Sequence, residues 1–286
     1  MSQNNKIEII PLSGSLGAEI YNIDLTLITS KNFIEIYKAF NEHQVIFFHN
    51  QNMNPEIFLN FAKKWGEMHH HPFMKSLENY PDILEILKTE DDSKAFGNVW
   101  HTDQMFTEVP AKCTILYSLE MPEVGGDTLF TNLYEAYNKL SSGLKHMLEN
   151  INALNIGDKQ PSIGGQSRKD RHDGTMSNMQ VKDPGKVKTE SMHPVIRTHP
   201  DTKKKALFIG GHTSQFENMT LEESQPLLNY LKKHITRPEF TCRFRWKVGS
   251  VAIWDNRCTL HYAIDDYSGY RRKMHRITIK GEEKPY

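Results

Sequence analysis

The chain has 286 residues, with 35 Lys+Arg balanced by 35 Asp+Glu, so its formal net charge is zero. That balance removes the bulk electrostatic drive toward nucleic acid or acidic lipid, and a small ligand is expected rather than a polymer or a membrane. Three cysteines without C-x-x-C spacing support neither a disulfide framework nor a zinc ribbon; residues 1–6 lack the apolar core of a signal peptide and no apolar run approaches bilayer-spanning length, so the expectation is a single cytoplasmic domain over 1–286.

In chain order, strand-like runs at Ile7-Glu8-Ile9 and 45–48 alternate with helical patterns at 32–43 and 55–65, which reads as an α/β flank. From Ile83 onward the apolar spacing shifts mainly to period two. Helical spacing returns at 134–148 and again at 221–234, where Leu227, Leu228, Tyr230 and Leu231 form a candidate packing stripe. Between them, 158–191 is rich in Lys, Asp, Gly, Ser and Gln with few large apolar groups. A stretch of this kind is expected to be a mobile loop, either a lid over a site or a passive surface insertion. Val195-Ile196 and Ala206-Leu207-Phe208 flank a hairpin tip at His199-Pro200-Asp201-Thr202, since Pro200 cannot donate to a sheet ladder. Phe240, Cys242, Phe244 and Trp246 alternate with Thr241, Arg243 and Arg245, giving one buried face, and 250–254 and 271–280 read as strands. The pattern is a β core braced by outside helices.

His101 and Asp103 are two apart, so a strand beginning at 100–106 sends both side chains to one side, where they can grip one ion. A second metal-competent histidine, His261, stands 158 positions beyond Asp103, and Arg272 follows it after ten intervening residues. Two imidazoles and one carboxylate on a triangular face of an octahedral Fe(II), with three positions open, is the pattern of non-haem iron oxygenases. Zinc also accepts such a donor set, so a metal-dependent hydrolase and a non-catalytic metal-binding β-barrel sensor are the alternatives. Along 271–280, period two places Arg272, Met274 and Arg276 on one face and Arg271, Lys273, His275 and Ile277 on the other. A guanidinium inside a barrel is costly unless an anion meets it, and its planar fork matches a carboxylate, with structural ion pairs as the competing explanation. In His69-His70-His71, strand alternation sends His70 away from its neighbours, which leaves His71 as a candidate pocket residue.

These residues resemble the taurine/2,4-D dioxygenase (TauD/TfdA) group of Fe(II)- and 2-oxoglutarate-dependent dioxygenases. The group's order is His-X-Asp, a Thr or Ser some two dozen residues on, a distant His, and an Arg shortly after it. Here these are His101, Asp103, Thr128, His261 and Arg272, with 24 residues separating Thr128 from Asp103. Matching wording includes Trp100-His101-Thr102-Asp103, Gly125-Gly126-Asp127-Thr128-Leu129-Phe130, Ile253-Trp254-Asp255-Asn256-Arg257 and Met274-His275-Arg276. The resemblance spans most of the chain. It implies a mainly β fold with flanking helices around a double-stranded β-helix (jelly roll, cupin-like) core, and a homo-oligomer, dimer or tetramer. It also implies iron on His101, Asp103 and His261, and the distal carboxylate of 2-oxoglutarate on Thr128 and Arg272. With O2 as second cosubstrate, the implied reaction hydroxylates a small organic anion and releases succinate and CO2. In taurine-cleaving members a His in a Gly-Glu-X-His-X-His-Pro run and an Arg on the last strand contact the sulfonate, and His71 and Arg276 stand at matching positions. Met74 stands where those members carry a tyrosine, Gly97-Asn98 replaces a more polar approach to the His-X-Asp motif, and His212 replaces a phenylalanine. The implied substrate is therefore an organosulfonate, alkyl sulfate or aryloxyalkanoate, with Asn98 and His212 as further candidate contacts beside His71 and Arg276.

Overall fold

The structure, a computed structural model, describes residues 6–172 and 181–286. The first half of the described chain runs β1 (Glu8–Pro11), β2 (Ala18–Tyr21), α1 (Ser30–His43), β3 (Val45–Phe48), α2 (Pro55–Ala62), β4 (Leu84–Lys88), β5 (Cys113–Glu120), β6 (Thr128–Asn132), α3 (Leu133–Asn138) and α4 (Ser142–Leu148). The second half runs β7 (Asn152–Ile156), α5 (Arg168–His172), β8 (Glu190–Pro194), β9 (Ile196–Thr198), β10 (Lys205–Leu207), β11 (Thr213–Phe216), α6 (Leu221–Ile235), β12 (Thr241–Phe244), β13 (Val251–Asp255), β14 (Thr259–Ala263) and β15 (Arg272–Ile279). Helix starts follow side-chain chemistry. Thr29 with Asn32 and Thr220 with Glu223 form reciprocal capping boxes at α1 and α6, and Asn54 caps α2 with Pro55 at its first position.

The main sheet is mixed, in the order β1-β2-β3-β13-β5-β15-β4, and the three-stranded sheet β12-β6-β14 packs against it. Phe47 of β3 stacks on Phe244 of β12 with centroids 4.0 Å apart, and meets Phe130 of β6 edge-on at 5.6 Å. This closes the interior of the jelly roll. Period two sorts β5 between two layers: Cys113, Ile115 and Tyr117 pack under α1 and α2, while Leu116 faces the interior. A third apolar layer joins α3 and α6 to Val195, Leu207 and Phe216 beside the smaller sheets.

Several elements differ from what periodicity alone predicts. The N-terminal strands do not form a separate α/β flank but extend the main sheet, because β3 pairs antiparallel with β13 in the register Val45↔Trp254 and β2 lies parallel to β3. The 134–148 pattern divides, since Ser141 accepts a hydrogen bond from Leu144 N and so restarts the chain as α4. On α6, Leu228, Leu231 and Ile235 are buried at helical spacing, whereas Tyr230 is 52% exposed and leaves the expected stripe. Within 158–191, a 3-10 turn at Pro161–Ile163 and α5 are formed, and Val181 bridges to Met74; residues 173–180 lie outside the described residues. No helix among the described residues is long and apolar enough to cross a membrane.

One buried histidine of the smaller sheets predicts a pH response. His193 on β8 shares a hydrogen bond with Thr107 O at 2.9 Å, and burial pushes its pKa down to about 4 from an ordinary 6.5. The unfolded chain takes up a proton there that the folded chain refuses. Stability is then full above pH 6.5 and falls by about 1.4 kcal/mol per pH unit as pH drops toward 4. Urea unfolding at pH 7 and pH 5 checks this: His193→Gln should flatten the dependence by that amount, and an unchanged slope counts against it.

Candidate active site

His101 and His261 are brought face to face by backbone pairing. His101 N donates to His261 O at 3.1 Å and His261 N to His101 O at 2.8 Å, a reciprocal antiparallel bridge that sets the two rings 4.1 Å apart between centroids. Asp103 does not continue a strand: only the bridge at His101 is extended, and the chain turns at once, with Gln104 at φ 54°. The turn is pinned by Asn256, which accepts from Thr102 Oγ1 at 3.2 Å and Asp103 N at 3.3 Å, and by Thr114 Oγ1, which donates to Asp103 Oδ2 at 2.6 Å. A bridge followed by a turn, rather than strand alternation, makes the two side chains converge.

The result is a buried triad in which Asp103 Oδ1 lies 3.6 Å from His101 Nε2 and 3.7 Å from His261 Nε2. His101 Nδ1 lies 2.7 Å from Val99 O, so its proton belongs there and Nε2 keeps the lone pair. Burial lowers the pKa of both imidazoles, His261 well below its ordinary range, so both are neutral at pH 7. Burial alone would raise the Asp103 carboxyl, but the Arg276 guanidinium, with the Thr114 hydroxyl that donates to this carboxyl, holds it well below the usual carboxylate range. Two neutral nitrogens and one carboxylate, all within 4.8 Å of one another, fit a divalent transition metal such as iron.

A narrow cleft of about 30 Å³ leads from the triad to Thr128 and Arg272, with Ile86, Leu116 and Trp254 among its walls. Arg272 is 4% exposed, and its Nε has no hydrogen-bond partner among the described residues. Its guanidinium lies 5.9 Å from the Trp246 ring centroid and 6.0 Å from that of Tyr267. Thr128 Oγ1 accepts from Trp246 Nε1 at 2.9 Å, which leaves its own proton as the donor it can offer to a ligand. The glycine pair before Thr128 has a steric reason: at Gly126 (φ +71°) a Cβ would stand 3.3 Å from Arg272 Cδ, and at Gly125 (φ +87°) it would stand 2.7 Å from Asp266 Oδ1. The cleft therefore joins a metal-competent triad to a buried cation and a free hydroxyl donor.

The same fold occurs elsewhere. The family model described as taurine catabolism dioxygenase TauD, TfdA family matches residues 8–278. The chain belongs to this family. It is 34% identical over 279 residues to an alkylsulfatase of Acinetobacter baylyi, covering 97% of this chain and 86% of that protein. It is 33% identical over 284 residues to an alpha-ketoglutarate-dependent sulfate ester dioxygenase of Pseudomonas putida, covering 97% and 90%. A crystal structure of a taurine dioxygenase from Burkholderia xenovorans superposes with a TM-score of 0.80 at 30% identity, covering 96% of this chain and 90% of that one. The chain is thus an alpha-ketoglutarate (2-oxoglutarate)-dependent dioxygenase with a jelly-roll core.

The other expected contacts of this TauD/TfdA dioxygenase are placed unevenly. Arg276 lines the cleft, its Nη2 2.9 Å from Asp103 Oδ1, an approach too oblique for a hydrogen bond but a close ion pair. The His212 ring stands edge-on to His101 at 6.4 Å and to Phe106 at 5.0 Å, and burial, with Arg168 and His101, pushes its pKa down to about 3. His71 is held neutral by burial and by the charges of Arg168 and Arg276, while His70 turns outward to Asp82, 2.6 Å away. Asn98 lies in the loop before His101 and is not among the cleft walls.

Sequence reasoning missed Arg168. It comes from α5, inside the stretch whose composition reads as a loop, lid or passive insertion, yet its charge acts on His71, His101 and His212, and those of Asp103 and Arg276 act on it. Its guanidinium lies 5.1 Å from the Phe73 ring, and burial followed by Arg171 and Arg276 pushes it down to about 10. A second cluster, His199, Asp255 and Cys258, is also close enough to suggest a metal. Its lone pairs are already used: Asp255 takes Arg257 in a fork at 2.8 and 2.7 Å and His199 at 3.0 Å, and burial raises the Cys258 thiol well above its usual range. The hairpin tip at His199 is thus a structural ion network, more buried than a turn suggests, with His199 only 1% exposed.

Proposed function

We propose that this dioxygenase hydroxylates a small organic anion of the alkyl sulfate or sulfonate class, using Fe(II), 2-oxoglutarate and O2 and releasing succinate and CO2. The observation that carries the reading is the buried His101–Asp103–His261 triad opening onto a cleft closed by the buried guanidinium of Arg272, whose Nε has no hydrogen-bond partner among the described residues. A metal-dependent hydrolase has a use for the triad but leaves that buried cation without a function. In the proposed assignment His101, Asp103 and His261 hold the iron, and Arg272 with Thr128 holds the distal carboxylate of 2-oxoglutarate. Iron bound there with its cosubstrates supplies the oxidant for a C–H bond of the substrate.

The protein's own residues then orient and shield. The Val99 carbonyl fixes the His101 tautomer, and Thr114 fixes the rotation of the Asp103 carboxylate. Arg276, His71, His212 and Asn98 are assigned to the substrate side, joined by Arg168. Two guanidinium groups beside uncharged imidazoles favour an anion held by charge and hydrogen bonds. Because Arg168 reaches the site from within 158–191, we assign that stretch to a lid rather than a passive insertion. The two relatives named for sulfate esters favour an alkyl sulfate among the candidate anions. Hydroxylation at the carbon bearing the sulfate oxygen gives a product that breaks its C–O bond to leave an aldehyde and inorganic sulfate. The test is succinate release from the Fe(II)-loaded protein across a panel of short alkyl sulfates, alkanesulfonates and phenoxy acids. Alkyl sulfates are expected to be turned over fastest, with stoichiometric aldehyde. Substrate-independent succinate release across the whole panel would remove the substrate assignment.

A further inference from the structure

Lys88 is a lysine where the strand pattern calls for an apolar residue. On β4 the inward positions are Leu84, Ile86 and Lys88, and all three are buried, Lys88 being 4% exposed. Its Nζ has no hydrogen-bond partner and no ion pair among the described residues, and lies 4.7 Å from the centroid of the Tyr267 ring. Directly across the antiparallel pair from Lys88 stands Arg272. Opposite residues of such a pair share a face with Cβ atoms roughly 5 Å apart, and like charges there repel. Lys88 and Arg272 border one narrow crevice with Lys94 at its exposed rim, and Ile86, Phe96 and Arg272 are common to this crevice and the cleft from the triad.

The nearby carboxylates are engaged elsewhere. Asp265 accepts from Ala95 N at 2.9 Å, Asp266 from Gly126 N at 2.7 Å, and Asp127 Oδ2 from Arg243 Nε at 2.6 Å. Asp127 Oδ1 is buried without a partner and its charge reaches Arg272, but it forms no ion pair with either cation. Two buried cations facing each other, each with an unused N–H, leave a gap in charge that a single anionic group placed between them fills.

We propose that Lys88 is the second cation for the distal carboxylate of 2-oxoglutarate, so that the cosubstrate is held by a Lys88–Arg272 pair and selected as a dicarboxylic acid. This rests on the assignment of the cleft to 2-oxoglutarate made above. The Tyr267 ring borders both cations, its centroid 4.7 Å from Lys88 Nζ and 6.0 Å from the Arg272 guanidinium. Lys88 acts on binding and positioning and takes no part in the oxidation.

The test compares 2-oxoglutarate with 2-oxovalerate, which has the same five-carbon 2-oxo chain but a methyl group in place of the distal carboxylate. Calorimetric titrations use the anaerobic Fe(II)-loaded protein. Lys88→Met is expected to weaken 2-oxoglutarate by roughly 10- to 100-fold, as for one charge-assisted hydrogen bond, and to leave 2-oxovalerate within about threefold. Lys88→Arg is expected to recover most of the loss. Without ligand, Lys88→Met should melt no lower than the wild type, since an unpaired buried charge is removed, and should gain less thermal stability from added 2-oxoglutarate. If that variant does not fold, Lys88→Gln takes its place in the same titrations. Unchanged 2-oxoglutarate affinity overturns the proposal, and so does equal weakening of both acids, the mark of a lysine needed only for packing. Inorganic phosphate raising the wild-type melting temperature through Lys88, with 2-oxoglutarate affinity untouched, also overturns it. A wild type that binds both acids equally sinks the cleft assignment itself, which separates that failure from this one.

Discussion

His261→Ala is expected to abolish both turnover and the weak visible charge-transfer absorption that Fe(II) and 2-oxoglutarate give together in the absence of oxygen. Partners one bond removed from a metal ligand are already worth roughly 10- to 100-fold in affinity, so loss of a ligand should exceed about 100-fold. Asp103→Ala should do the same, but the two variants differ in stability. His261→Ala keeps the Asp103–Arg276 ion pair at 2.9 Å, and melting should change little beyond the cost of a cavity. Asp103→Ala strands Arg276, which is 4% exposed, and takes the acceptor from Thr114. Breaking a buried pair by removing one partner costs about 3–5 kcal/mol, so this variant should melt well below wild type. Absorbance titration and thermal unfolding separate the two effects. A His261→Ala protein that still develops the absorption at wild-type iron concentrations would show that the triad is not the iron site.

Arg272→Ala has the second largest expected consequence, and it should be confined to the cosubstrate. A bidentate guanidinium–carboxylate contact comprises two charge-assisted hydrogen bonds of about 1.5–3 kcal/mol each, so 2-oxoglutarate affinity should fall by at least about 100-fold. Fe(II) affinity should stay within about threefold, because Arg272 belongs to the far end of the cleft and contributes no donor to the triad. Arg272→Lys should recover only part of the loss, since an ammonium cannot reproduce the planar fork between Trp246 and Tyr267. Titrating iron alone and then 2-oxoglutarate reads the two affinities separately. Equal loss of both would mean that Arg272 supports the metal site and not the cosubstrate.

Much of the machinery was legible from residue types and spacing. The alternation of Phe240, Cys242, Phe244 and Trp246 is buried as expected, β3 spans Val45–Phe48 as read, and capping residues place α6 within a residue of its expected limits. The His101–Asp103–His261 set is brought together, although for a different local reason: the strand expected from 100 to 106 is one bridge and a turn held by Asn256. That hydrogen bond joins residues far apart in the chain, so no local pattern could show it. Arg168 and Lys88 escaped notice because a single charged side chain is ordinary on a surface. Only the burial of Lys88, and the position of the half-buried Arg168 beside the imidazoles of the site, make them unusual.

The sequence by itself determined the donor types, their order, the period of each strand and the caps of the helices, because these depend on side-chain chemistry and backbone geometry within a few residues. Tertiary structure alone decided which strands became neighbours, that β1 to β3 would extend the main sheet, and that Lys88 would face Arg272 across β4 and β15. Strand pairing is set by registers between segments as far apart as Val45 and Trp254, where burial and hydrogen bonding are shared by both partners. Neither segment carries that information alone.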